Sequence, residues 1–277
     1  MKTIGTTILT HNNESTIETA LTSIMLFSDV IVIVDGGSTD STLAKVSKVC
    51  PRAVIIHSQA GYENGQMWDF SAQRNVGLAY LDDKVDYIVI QDSDDECLTP
   101  TVVHQIRDLD ADMFHVTVKF RDSGISWKQL RAWKTKLGVK YVGKVHEYPT
   151  LVGNVVDVDD IVFSPIPGDR VKVEPSSERN LRIGQRSYDE GDRSPRTLFY
   201  LAQPLRELGK LEQAIKIYKE YIKVATYHDE KMMGYLYMSR CYRGMKHFQA
   251  SIDICWTALS EDIRFSEILI ELSYSYS

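Results

Sequence analysis

The sequence has little of what would mark a membrane protein, a disulfide scaffold or a broadly basic surface. Only four cysteines occur in 277 residues, Cys50, Cys97, Cys241 and Cys255, and none forms a CxxC pair. That spacing argues against structural zinc and a dense disulfide framework, and favours a reducing, cytoplasmic setting. No apolar run approaches the roughly 20 residues that span a bilayer. The first ten residues, Met1 to Thr10, lack an apolar core long enough for a signal peptide and read instead as a first strand. A formal net charge of -6 gives no hint of a nucleic-acid-binding surface, although a local basic patch would be compatible with it. Proline (8) and glycine (16) are too sparse for a low-complexity chain. The length suits one large domain or two modest ones.

What is present is an alternation of strand and helix patterns. Thr6 to Thr10 reads as a strand, and Ser15 to Leu26 as a helix with Ile17, Ala20, Leu21, Ile24 and Met25 on one face. Val30 to Val34 is a continuous β-branched run, as expected of a strand covered on both faces of a parallel sheet. Ser41 to Cys50 follows as a helix, Ala53 to His57 as a strand, Phe70 to Leu81 as a helix and Asp86 to Gln91 as a further strand. Such βαβ alternation predicts an α/β fold with ligands at the carboxyl ends of the strands.

The most informative stretch lies at one of those ends. Asp92-Ser93-Asp94-Asp95-Glu96 packs four carboxylates into five residues. Without a counter-cation their repulsion would raise some of their pKa values and cost stability, which a hard divalent ion would relieve. The plainer reading is an acidic loop capping the next helix. A second loop, Asp35-Gly36-Gly37-Ser38-Thr39-Asp40, offers a carboxylate for a base or ribose and glycine amides for an anion; a simple capping turn is the alternative. Arg74, in Ser71-Ala72-Gln73-Arg74-Asn75-Val76-Gly77, is placed to pair with a phosphate or with a surface carboxylate.

Together, Thr7 to Glu14, Val34 to Asp40, Arg74 to Gly77 and Asp92-Ser93-Asp94 resemble glycosyltransferase family 2 in order and spacing. The resemblance covers about the first hundred residues. It implies the GT-A fold, a Rossmann-like, mostly parallel sheet, and an inverting transfer from a nucleotide-diphosphate sugar, with a UDP-sugar the first expectation and Mn²⁺ or Mg²⁺ as cofactor. The donor set it implies is Thr10, Asn12, Glu14, Asp35, Gly37, Arg74, Asp92 and Ser93. Asp35 would contact the nucleoside and Asp92 the ribose or a metal-bound water, while Asp94 would ligate the metal. Gly36 departs from the Asp or Ser usual at its position in the family. The displacement develops negative charge on the β-phosphate, which the ion and Arg74 would offset, and a carboxylate base would assist the acceptor.

Lys144-Val145-His146-Glu147-Tyr148-Pro149 follows at a distance seen in several branches of that family. It makes His146 a second expected metal ligand and Glu147 the expected base, with Asp122 next; the alternative is an exposed or structural His-Glu pair. Trp127, Arg131 and Trp133 are expected on the acceptor side, because aromatic faces stack on sugar C–H surfaces; the alternative is packing. The acceptor itself stays open between glycan, peptide and modified nucleobase.

Beyond Pro165-Ile166-Pro167-Gly168-Asp169 the pattern becomes helical. Tyr200 to Tyr218 aligns with Tyr235 to Ile252 at an offset of 35 between Gly209 and Gly244, close to the ~34-residue tetratricopeptide period, which it resembles. Pro204 should kink or loosen its helix. The expected division is 1–170 for the transferase domain and 171–277 for the helical domain. Ile268, Leu269, Ile270 and Leu272 on a last helix without a following partner suggest a homodimer. The rival readings are a repeat scaffold with a degenerate transferase half, and a nucleotidyltransferase. The latter would need a Gly-rich basic loop that Thr10 to Glu14 does not supply.

Overall fold

The structure, a computed structural model, describes residues 2–167 and 174–276. It divides into two compact units, Met1–Gly143 with Glu147–Val171, and Lys144–His146 with Lys172–Ser277. The domain boundary expected between 170 and 171, and the end of the loop expected at 165–169, lie outside the described residues.

In chain order the first unit contains β1 (Ile4–Thr10), α1 (Ile17–Ile24), β2 (Val30–Asp35), α2 (Thr42–Val49), β3 (Val54–His57), β4 (Tyr62–Glu63), β5 (Gln66–Met67), α3 (Phe70–Leu81), β6 (Tyr87–Asp92) and β7 (Asp95–Cys97). A 3-10 turn (Val103–Arg107), β8 (Met113–Lys119), β9 (Ser126–Lys134), β10 (Tyr141–Val142), β11 (Tyr148–Pro149) and β12 (Val155–Pro165) complete it. The main sheet has the order β3-β2-β1-β6-β9-β8-β12-β7. It is mostly parallel: β1 runs parallel to both β2 and β6, β2 to β3, and β8 to β12, whereas β9 is antiparallel to β6 and β8, and β7 to β12.

Val30 to Val34 of β2 are apolar without interruption because both faces of the strand are covered. Alternate residues point to opposite sides of a strand. Ile31 and Ile33 of β2 join Ile17, Leu21 and Ile24 of α1 in one core, while Val32 and Val34 join Leu78 and Leu81 of α3 in another. Burying each such side chain contributes about 1.5–3 kcal/mol. Helix α3 also comes unusually close to the sheet. A Cβ at Gly77 would collide with the Thr7 side chain and approach Val34 to 3.1 Å, so only glycine fits there.

The second unit is helical: α4 (Ser176–Asp189), α5 (Pro195–Glu207), α6 (Leu211–Val224), α7 (His228–Gly244), α8 (Phe248–Glu261) and α9 (Ser266–Tyr276). Helix α5 continues through Pro204. Gly209 turns the chain between α5 and α6 at φ +73°. Between α7 and α8 the equivalent left-handed residue is Lys246 at φ +62°, and Gly244, aligned with Gly209 in sequence, is the last residue of its helix. In α9, Ile268 and Leu272 are buried within the unit and Glu271 is gripped by Arg240 and Arg243 of α7, while Leu269 and Ile270 remain exposed. Half of the apolar set expected to seek a second subunit is therefore covered within the chain. All four cysteines are free and buried. No helix among the described residues is long and apolar enough to cross a membrane.

Candidate active site

The register of the parallel strands sets the site. Thr10 at the end of β1 lies opposite Asp35 at the end of β2, and Leu9 lies opposite Asp92 at the end of β6. Asp35 and Asp92 therefore flank one strand at the carboxyl edge of the sheet, the edge at which open α/β folds bind ligands.

Arg74 is the hub on the Asp92 side. Helix α3 presents it from a sharply defined start, where Asp69 caps the Ala72 amide and Ser71 donates to the same carboxylate. Arg74 Nη2 donates to Asp92 Oδ1 at 2.8 Å and Nε to Glu147 Oε1 at 2.5 Å, with the guanidinium over the Tyr141 ring. Burial works against its charge, but the two carboxylates hold it protonated, well above the ordinary arginine value. Burial likewise pushes the Tyr141 phenol up to about 12, against the opposing pull of Arg74. The next residue fixes the backbone: Asn75 accepts from the Tyr141 amide (2.8 Å) and donates to its carbonyl (2.9 Å), so α3 holds β10 as a neighbouring strand would.

The acidic run is neutralised from within the chain. Arg131 of β9 is 3% exposed, and its Nη2 reaches Asp92 Oδ2 at 3.0 Å and Asp95 Oδ2 at 2.5 Å. Asp95 and Glu96 form an edge strand on β12 rather than an open loop, and Glu96 is paired with Arg121. Burial raises the Asp95 carboxyl, Arg131 lowers it, and the nearby Asp92 charge adds to the rise; the net direction is upward. Three arginines, Arg74, Arg121 and Arg131, thus pair with Asp92, Asp95 and Glu96, and the run does not by itself require a metal.

On the β2 side the two expected donor loops hold each other. Asn12, at φ +53°, accepts through Oδ1 from the Thr39 amide (2.8 Å) and the Asp40 amide (3.3 Å). Glu14 accepts from the Ser41 amide (3.0 Å), and Thr10 donates to Asn13. Asp35 is 1% exposed and accepts from the Gly37 amide (3.1 Å) and the Ser38 amide (3.0 Å), with His57 Nδ1 3.2 Å away. Burial favours its neutral form, but these donors outweigh burial and hold the carboxyl below its usual range.

The glycosyl transferase family 2 model matches residues 7–157, just over half of the sequence. The chain belongs to glycosyl transferase family 2. No curated protein sequence matches it. Among solved structures it is similar to the MamA RS-1 ArsTM double mutant (15% identity, covering 36% of this chain and 55% of that one, TM-score 0.32). It is also similar to the crystal structure of a mycobacterial protein (16% identity, 66% of this chain and 72% of that one, TM-score 0.46). A third is glucosyl-3-phosphoglycerate synthase from Mycobacterium tuberculosis in complex with Mn²⁺, uridine diphosphate and phosphoglyceric acid (21% identity, 44% of either chain, TM-score 0.33). The chain spans about half the length of the first and third of these. With TM-scores below 0.5, the three likenesses carry no further argument.

Within this family-2 domain, the residues expected to serve one site are only partly brought together. Arg74, Asp92 and Glu147 meet directly, with Arg131 joining through Asp92. Ser93 is buried, its carbonyl accepting from Thr16, and Asp94 is half-buried beside it. His146 belongs to the other unit, where its ring stacks on Tyr200 at 4.1 Å and its Nε2 lies 3.3 Å from Asn180. Among the described residues no group of three or more His, Cys, Asp and Glu side chains is arranged to hold a metal. Asp122 sits in the exposed turn between β8 and β9. Trp127 is 41% exposed beside Phe120, but Trp133 is 2% exposed and packs on Tyr141. Arg131 and Trp133 are therefore interior residues. Sequence reasoning missed Asn75, Arg131 as a counter-ion, and Tyr62, which lies against Gly36.

Proposed function

We propose that the chain is an inverting glycosyltransferase that takes a sugar from a nucleotide-diphosphate donor, a UDP-sugar first, to a glycan, peptide or modified nucleobase. The single observation that carries this reading, given the family, is Arg74 held between Asp92 and Glu147 at the carboxyl edge of β6. A fixed guanidinium there supplies preorganised positive charge for a leaving diphosphate. Glu147 is the proposed base for the acceptor hydroxyl or thiol, oriented by its hydrogen bond to Arg74. Asp122 is the second choice. The exposed Trp127 and Phe120 pair offers apolar faces for an acceptor sugar or side chain.

The residues present fit Mn²⁺ or Mg²⁺. Such ions are commonly held by one or two carboxylates completed by substrate phosphates and water, not by an all-protein cage. Asp94, half-buried and two residues from Asp92, supplies hard oxygen donors of that kind, and His146 is the proposed second ligand. The ion would act as a Lewis acid on the diphosphate.

The reading assigns 1–170 to the transferase domain and 171–277 to tetratricopeptide-like repeats, with a homodimer formed through the exposed Leu269 and Ile270. Buried, reduced cysteines accord with the cytoplasm. A thermal-shift screen of nucleotide sugars with and without Mn²⁺ tests the donor assignment. A shift with one nucleotide family, lost in Asp94→Ala, supports it; no shift with any contradicts it.

A further inference from the structure

Resting on the donor reading above, we propose that Tyr62, and not Asp35, contacts the base of the donor nucleotide. Asp35 is poorly placed for that task. It is buried, and its carboxylate is committed to the Gly37 and Ser38 amides. With His57 Nδ1 also 3.2 Å from Oδ2, most of its contacts are made within the chain.

Gly36 shows what stands in its place. A Cβ there would collide with the Tyr62 hydroxyl and come within 2.9 Å of the ring carbon that bears it. The phenol thus fills the space that a side chain at position 36 would use. His11 lies on the same wall, its ring 6.1 Å from that of Tyr62 and its Nδ1 3.2 Å from the Gly36 carbonyl. Tyr62 as a whole is half-buried, which leaves part of the residue accessible to a ligand.

Tyr62 is also braced. Its amide donates to the Gln59 carbonyl, Gln73 Nε2 holds the Ser58 carbonyl at 2.7 Å, and the Trp68 and Asp69 amides close onto the Gly61 carbonyl. Burial and the Asp35 charge push the phenol up to about 12, so it stays protonated as a hydrogen-bond donor at neutral pH. A fixed aromatic face with one donor atom, beside the loop after β2, suits a nucleobase: the face stacks on any base and the hydroxyl selects among them.

Calorimetry on the full chain tests this with uridine, guanosine and adenosine diphosphates and with methyl diphosphate as a base-free probe. The wild type should prefer one nucleoside diphosphate over the base-free probe. Tyr62→Ala should weaken that nucleotide roughly tenfold or more, as loss of a stacking partner does, while leaving methyl diphosphate unchanged. Tyr62→Phe should retain most of the affinity but alter the ranking of the bases. Gly36→Ser should reproduce the alanine effect by displacing the ring, and the double variant should lose no more than either single one. If the wild type binds and Tyr62→Ala keeps its base preference, or loses both probes equally, Tyr62 is not the reader. If the wild type binds no nucleoside diphosphate, the donor reading fails and this assignment falls with it.

Discussion

Arg74 and Arg131 turn a repulsive acidic run into an ordered one. Removing Arg74 would leave Asp92 and Glu147 without a shared counter-ion in a largely dry setting, which typically costs about 3–5 kcal/mol. Arg74→Ala should lower the urea midpoint accordingly. Arg74→Lys should recover only part of the loss, because one ammonium cannot bridge two carboxylates as the fork of Nε and Nη2 does. An unchanged midpoint would mean that solvent already screens the pair. Asp35 makes a separate, pH-dependent contribution. Its folded value lies below the ordinary carboxylate range, so the stability it confers is present above about pH 4 and is lost as the pH falls through the folded value. Asp35→Asn should therefore be less stable than the wild type at pH 7, with the gap narrowing as the pH falls below about 4 in parallel urea titrations. A gap that stays constant would remove the carboxylate from the account.

Elements place these residues, and they were unequally legible. Strands β1, β2, β3 and β6 and helices α1 to α3 follow from apolar periodicity, because a strand covered on both faces and a helix covered on one leave distinct patterns. Strand β9 does not announce itself: Ser126 to Gln129 are exposed and Leu130 to Trp133 are all buried, so neither alternation nor a long apolar run appears. This is why the sequence left Arg131 and Trp133 open between an acceptor role and packing. Asn75 was hidden for a different reason, since its partner is the backbone of Tyr141, 66 residues away, and no local pattern reveals such a bond. Asn75→Ala should strand both backbone groups and cost about 1–3 kcal/mol by chemical denaturation. Gly77→Ala should cost a similar amount, about 1–3 kcal/mol, by forcing α3 away from Thr7. If both variants match the wild type, α3 is not the clamp described.

At the scale of the whole molecule, a family-2 domain is joined in one chain to a unit whose helical character was legible from the sequence. The turn at Lys246 was not, because a lysine in the left-handed region carries no sequence signal. The homodimer is checked by light scattering at micromolar concentration: the wild type should show twice the chain mass, and Leu269→Glu with Ile270→Glu a monomer. A monomeric wild type would retire it. The central claim is that the carboxyl edge of the sheet binds a nucleotide-diphosphate donor through Arg74 and the Asp92 to Asp94 segment. Titration calorimetry of the full chain with a panel of nucleoside diphosphates, with and without Mn²⁺, tests it most directly. The account predicts binding of one nucleotide, strengthened by the ion and weakened at least tenfold in Asp94→Ala. Binding of none, or equal binding by wild type and variant, would contradict it.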